Sequence, residues 1–411
     1  MARRTRLSVP TLLVSAGLLV VAMSGSTLAA RPAAQDFYVP KPNPDAINQI
    51  AELRSSGQKA EAQLIESMVA TPSAVWFTSG GPKSVQQAVK ATVQRAAGKR
   101  SVPVLVAYNV PGRDCSQYSA GGADTGDDYR AWIDGFAAGI GGHEVIVILE
   151  PDGLALTPTD CGQPDTFDRV GLIRYAIDAI GGAAPNAAVY LDAGHGSWHS
   201  VGDIADRLVT AGIADTAGFY LNPSNYQFTT NSVFYGTWIS QCIAYATVVA
   251  PGDFGNCPNQ YWNGGPPDWV GTALSPYGTW SDDAAAPELW TGGITTRYAD
   301  MLGGTAPTTH FVVDTSRNGQ GPWAPPPGAY PDPQDWCNPP DRGLGVRPTR
   351  DTGSDLVDAF LWIKIPGESD GECLRGTPGP EDPARGMVDP AAGQWFPEMA
   401  LELVHNANPT E

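Results

Sequence analysis

Charge is scarce in this chain, and positive charge is scarcer still. Only 17% of the 411 residues are charged, with 25 Lys and Arg against 43 Asp and Glu, for a formal net charge of −18. Nucleic acids and anionic membranes attract clustered cations, so neither partner class is expected. The longest apolar run, residues 12–23, falls short of the roughly 20 residues a membrane span needs. No C-x-x-C pair exists, which sets a zinc ribbon aside, and no G-x-G-x-x-G follows the first apolar segment, which weakens a dinucleotide-binding reading. Internal repeats and Ser/Thr/Pro-rich tethers are missing too, so neither a repeat array nor a tethered binding module is expected. What remains is a globular composition, 42% hydrophobic, with 12 tryptophans. Tryptophan fills cores, and it also offers a flat platform to the apolar faces of ligands, sugar rings included.

The N-terminus has the three parts of a secretion signal. Arg3, Arg4 and Arg6 form a basic region, Leu12 to Met23 an apolar one, and Thr27-Leu28-Ala29 a small-residue cleavage site. Residues 1–30 are therefore expected to be removed near Ala29 or Ala30, leaving 31–411 as a single catalytic domain outside the cell. Arg3-Arg4 leaves the general and the twin-arginine export routes both open. Export favours disulfides. Six cysteines allow 15 pairings; joining sequence neighbours gives Cys115–Cys161, Cys242–Cys257 and Cys337–Cys373.

Residues 45–70 have helical apolar spacing. Short apolar segments then recur at 74–77, 102–108, 145–150, 187–192, 217–222, 310–314 and 359–364, with helix-like stretches between most of them, as at 85–97, 127–139, 168–180 and 201–211. Near-continuous apolar strands alternating with helices indicate a parallel sheet covered on both faces. Six of the seven end in a polar residue: Tyr108, Glu150, Asp192, Asn222, Asp314 and Lys364. An active site built on strand C-termini all round a ring accounts for that better than an open sheet, which places its ligand at one switch point. The fold expected is α/β, a distorted seven-stranded parallel β/α barrel, an irregular relative of the TIM barrel. Two long inserts, 223–309 and 321–343, are expected to be ordered; Tyr261, Trp262 and Trp269 in the first favour that.

Acetal hydrolysis needs one carboxylic acid to protonate the leaving oxygen and a second carboxylate as nucleophile or as base to water. Asp114, Glu150, Asp152, Asp192, Asp314 and Asp370 follow strand ends. In "VIVILEPDGLA" (145–155), Asp152 lies past Pro151 beside Leu154 and Leu156, where low dielectric and a neighbouring negative charge would keep it protonated. Asp114 could supply that charge. A helix N-cap is the rival reading of Asp152, and Glu150 reads as structural, shaping the turn.

"VAYNVPGRDCSQYSAGG" (106–122) fits the V-x-Y-x-x-P-x-R-D-C pattern of glycoside hydrolase family 6. "VIVILEPDGLA" fits its second signature, and "WIKIPGESDGEC" (362–373) resembles its third block. The resemblance runs from about Trp76 to the C-terminal "ELVHNANP". It implies an inverting hydrolase of β-1,4-glucosidic bonds, active in cellulose degradation, without metal or cofactor; a monomer is expected. Carried over residue by residue, it implies Asp152 as general acid, Asp114 as the residue raising its pKa, and Asp370 as the proposed base. Tyr108 matches the tyrosine beneath the reacting sugar. Trp76, Trp198 and Trp336 match stacking tryptophans, and Asp192, His195, Asn225, Lys364 and Glu368 match polar contacts to hydroxyls. Arg113 falls inside the first motif. Thr78 stands where an aspartate is common, and Val201 where some members have an aromatic near the leaving group. His195 and His199 have i, i+4 spacing but lack a third ligand; His199 is expected to be incidental. "YGTWISQC" and "DTSRNGQGPW" resemble exo-acting cellobiohydrolases, which is the action expected, whereas the short "LALTPTDCG" after the acid would suit the alternative, an open endoglucanase cleft. A non-catalytic glucan-binding protein would keep the tryptophans but have no reason to keep Asp114, Asp152 and Asp370 together.

Overall fold

The computed structural model describes residue 1, residues 36–262 and residues 273–408. The expected leader with its cleavage site, and Trp269, lie outside them. Seven strands form one sheet: β1 (Val75–Phe77), β2 (Val104–Ala107), β3 (Val145–Leu149), β4 (Ala187–Asp192), β5 (Gly218–Leu221), β6 (His310–Asp314) and β7 (Val357–Leu361). Every pairing is parallel and follows chain order. At the seam between the two end strands, the Ala74 amide donates to the Trp362 carbonyl at 2.9 Å. The expected seven-stranded parallel barrel is thus a curled sheet with a narrow seam. β7 starts two residues and ends three residues earlier than the apolar pattern suggests. The reason is local: the Ile363 and Lys364 amides donate to the Asp314 carboxylate instead of continuing the ladder.

Strand side chains alternate between two apolar layers, as period-2 geometry requires when both faces are buried. Leu105, Val147, Leu149, Leu191, Phe219 and Val313 face the helices. Val106, Ile146, Ile148, Tyr190, Tyr220 and Val312 fill the barrel interior. The outer layer is covered by α3 (Pro82–Gly98), α4 (Gly126–Ile140), α5 (Arg169–Ala183), α6 (Val201–Ala211), α7 (Thr229–Ala244) and α8 (Gly292–Leu302). Side chains start several of these helices: Thr125, Asp168 and Ser200 accept amide hydrogens from the first turns of α4, α5 and α6, satisfying donors that lack an intrahelical partner. The helical stretch at 45–70 is two helices, α1 (Pro44–Ser55) and α2 (Lys59–Val69), separated by Gly57 at φ +85°. With α9 (Pro397–His405) they form a smaller core around Trp362 and Trp395.

Candidate active site

The strand C-termini open into a groove of about 990 Å³. Of the residues expected at the site, Trp76, Thr78, Tyr108, Arg113, Asp114, Asp152, His195, Trp198, Asn225, Trp336, Lys364, Glu368 and Asp370 all line it. Asp192 does not. It is 1% exposed, and its carboxylate accepts the Leu154, Ala155 and Gly194 amides. The expected sugar-hydroxyl contact is corrected accordingly: the side chain is consumed by the backbone behind the groove. Val201 is also fully buried, in the first turn of α6 away from the groove, so its lack of an aromatic ring bears on core packing.

The polar strand ends have a common job. Glu150 Oε2 accepts the Asn109 and Val110 amides at 2.8 and 2.9 Å. Asp314 accepts those of Ser224, Ser316, Ile363 and Lys364. Asn222 donates to the Gln227 and Asp314 carbonyls. With Asp192, these buried groups pin the loops that rise above the sheet. Backbone strain gathers in the same place: Asp114, Cys115, Glu150, Asp152, Asn222 and Ser224 all have φ between +46° and +66°. Each such non-glycine conformation costs on the order of 1–3 kcal/mol and persists only where surrounding bonds over-determine it.

Asp152 sits on a turn, not at a helix N-cap, so that rival reading falls. The Tyr108 hydroxyl donates to its Oδ2 at 3.4 Å. Burial, then the charges of Asp192 and Asp114, push its carboxyl up to about 8. Asp114 therefore contributes as expected, but the hidden Asp192 contributes more. Asp114 is itself raised by burial, against its bond from the Ser119 amide and the charge of Arg113. Arg113 braces this loop by donating to the Ser119, Thr78 and Tyr108 carbonyls, with its guanidinium 4.5 Å from the Tyr108 ring.

Asp370 faces the opposite surroundings. Burial would raise it, yet Arg317 at 2.9 Å and Lys364 at 3.3 Å outweigh that and hold its carboxyl below the usual range. The Asn338 amide and the Tyr226 hydroxyl also donate to it. Arg317 was missed in the sequence, although it lies three residues past the polar end of β6. Among the other groups, Trp76 donates its indole N–H to the Ile363 carbonyl and meets Tyr108 edge-on. Glu368 accepts from Asn43. Burial and His199 pull His195 down to about 4, which leaves it a neutral imidazole. His199 bridges the Ala155 carbonyl and Asp203, a structural role beyond the incidental one expected.

All three expected disulfides are present. Cys115–Cys161 ties the Asp114 loop to the loop after Asp152, and Cys337–Cys373 joins the segment carrying Trp336 to the one carrying Asp370. Sequence reasoning missed Tyr118, Tyr261 and Tyr277 as groove residues. Tyr261 and Tyr277 come from the first long insert. Trp262, in contrast, lies under the Arg297 guanidinium at 4.2 Å.

Fold and site together define a class: a parallel barrel of glycoside-hydrolase type, with carboxyl groups and tryptophans sharing one groove. Residues 32–407 match the model of the glycosyl hydrolases family 6. Endoglucanase A of Cellulomonas fimi is 35% identical over 90% of this chain, and the chain spans 61% of that relative's length. A probable 1,4-β-D-glucan cellobiohydrolase C of Aspergillus niger is 30% identical over 82% of the chain and 69% of its own. Among solved structures, the endoglucanase Cel6 of Mycobacterium tuberculosis, in complex with a methyl-cellobiosyl-4-deoxy-4-thio-β-D-cellobioside, covers 91% of this chain and 98% of its own at TM-score 0.64 and 32% identity. The chain belongs to glycosyl hydrolase family 6.

Proposed function

We propose that the protein is exported and hydrolyses β-1,4-glucosidic bonds of cellulose with inversion, working from chain ends. Asp152 is the proton donor, because it is the groove carboxyl that burial and two neighbouring carboxylates keep protonated at neutral pH. Asp114 and Asp192 maintain that state. Asp370, ionised between two cations, suits a carboxylate that helps order the attacking water, and Tyr108 lies beneath the reacting sugar. The tryptophans Trp76, Trp198 and Trp336 supply stacking platforms. The basic and apolar parts of residues 1–30, together with three disulfides, support export.

One observation carries the exo reading: the loop after β2 is fastened to the segments that carry Trp336 and Asp370. The Tyr118 hydroxyl donates to Gln334 Oε1 at 3.0 Å and accepts the Leu374 amide at 2.8 Å, while its ring lies 6.1 Å from that of Trp336. Gly371, at φ +146°, is tight against this tyrosine, and any side chain there would collide with it. A groove fastened in this way suits threading from an end better than landing along a chain. Endo action is the second reading, favoured by the names of relatives at 32–35% identity. Viscosity and reducing ends measured together on carboxymethylcellulose separate the two. Slow viscosity loss per reducing end is expected; a steep early fall would replace the exo reading with the endo one.

A further inference from the structure

Arg169 is the first residue of α5 and only 1% exposed, an unusual place for a cation. The N-terminus of a helix carries positive partial charge, so the macrodipole opposes a cation there, and burial adds a desolvation cost. The compensation lies in what the guanidinium holds. Nη2 donates to the Pro111 carbonyl at 2.8 Å and the Gly112 carbonyl at 3.4 Å, and Nη1 to the Gly153 carbonyl at 3.3 Å. Gly112 lies two residues before Asp114, and Gly153 directly follows Asp152. The buried Glu150, which raises the arginine's pKa against its burial, supplies the countercharge while gripping the Asn109 and Val110 amides of the same loop. One planar fork therefore spans both carboxyl-bearing segments.

We propose that Arg169 is a positioning residue that fixes the distance between Asp114 and Asp152 by clamping the backbone on either side of them. The inference rests on Asp152 being the proton donor. Only a fork can hold both sets of carbonyls; a lysine keeps the charge but offers a single point of attachment. The titratable and charged groups around Asp152 are Tyr108, Asp114, Asp192, Tyr220 and Arg169 itself. With the charge of Arg169 retained, slack in the clamp acts mainly through Asp114.

The test measures kcat, KM and their pH profiles on cellotetraose for Arg169→Lys, alone and combined with Asp114→Asn. Arg169→Lys is expected to lower kcat roughly tenfold or more with little change in KM, since small misplacement of reacting groups is costly. It should also move the basic limb of the kcat profile to lower pH. In the Asp114→Asn background the same change should leave the limb in place. An Arg169→Lys enzyme with an unmoved limb, or an equal limb shift in both backgrounds, overturns the proposal. So does a variant that fails to fold, which would make Arg169 a folding residue only. Asp152→Asn serves as the control: if it turns over normally, the proton-donor assignment itself fails, whereas an inactive Asp152→Asn beside an unaffected Arg169→Lys refutes the clamp alone.

Discussion

Asp152 and Asp370 line the same groove, yet one is ringed by carboxylates and the other by cations. Asp152 feels the charges of Asp192 and Asp114 on top of its burial, and its carboxyl is pushed up to about 8. Asp370 is held by Arg317 and Lys364 and stays ionised. The contrast shows how one residue type fills two roles. Burial raises both carboxyls, and the sign of the nearest charges sets the outcome. The two halves also respond to pH in opposite senses. Asp152 and Glu150 have raised values, so between an unfolded value of about 4 and folded values of about 8 and 7 the native state binds more protons, and stability falls as pH rises. Asp370 is depressed, so its contribution is present above the unfolded value and is lost as pH falls through the folded one.

The largest test breaks the carboxylate-ringed half. Asp152→Asn is expected to lower kcat on cellotetraose by about a thousandfold, within the range for removing a general acid. The same variant should melt higher than wild type at pH 9, because an ionised Asp152 no longer burdens the fold; calorimetry at pH 6 and 9 reads this directly. The cationic half is broken by Arg317→Met, which leaves Asp370 with one cation. Loss of one partner from a buried pair is expected to cost about 3 kcal/mol in urea unfolding. The smallest change sharpens the comparison. Asp114→Asn removes one negative neighbour from Asp152, so the basic limb of the kcat profile should move down by about one pH unit, equivalent to about 1.4 kcal/mol. An unmoved limb would assign the elevation to burial and Asp192 alone.

Much of this was legible in the sequence. Seven apolar segments, six of them with polar ends, located every strand of the described residues and the edge where the groove opens. Asp152 and Asp114 were legible as acids following strand ends, three residues past β3 and seven past β2, and the family motifs supplied their expected roles. The polar ends were a truthful signal with a different cause. Glu150, Asp192, Asn222 and Asp314 are polar because loop amides must be satisfied where a buried sheet stops, and the groove residues stand just beyond them. Asp192 was misassigned for that reason. Arg317, Arg169 and Tyr118 could not be read locally. Their partners lie 53, 58 and 256 residues away along the chain, and neither periodicity nor composition marks such pairings.

The Cys115–Cys161 bond also has a bearing on how firmly the two sides of the groove are held together. It closes a span of 46 residues, worth roughly 4 kcal/mol of unfolded-chain entropy, and the two loops it joins carry Asp152 and Asp114, the proposed proton donor and its charged neighbour. Without that link the two loops are joined by noncovalent bonds alone, chiefly those of Arg169 and Glu150 beneath them. Oxidation thus does more than harden the chain. The same covalent bond that limits the unfolded chain also fixes the spacing of the two carboxyl-bearing loops.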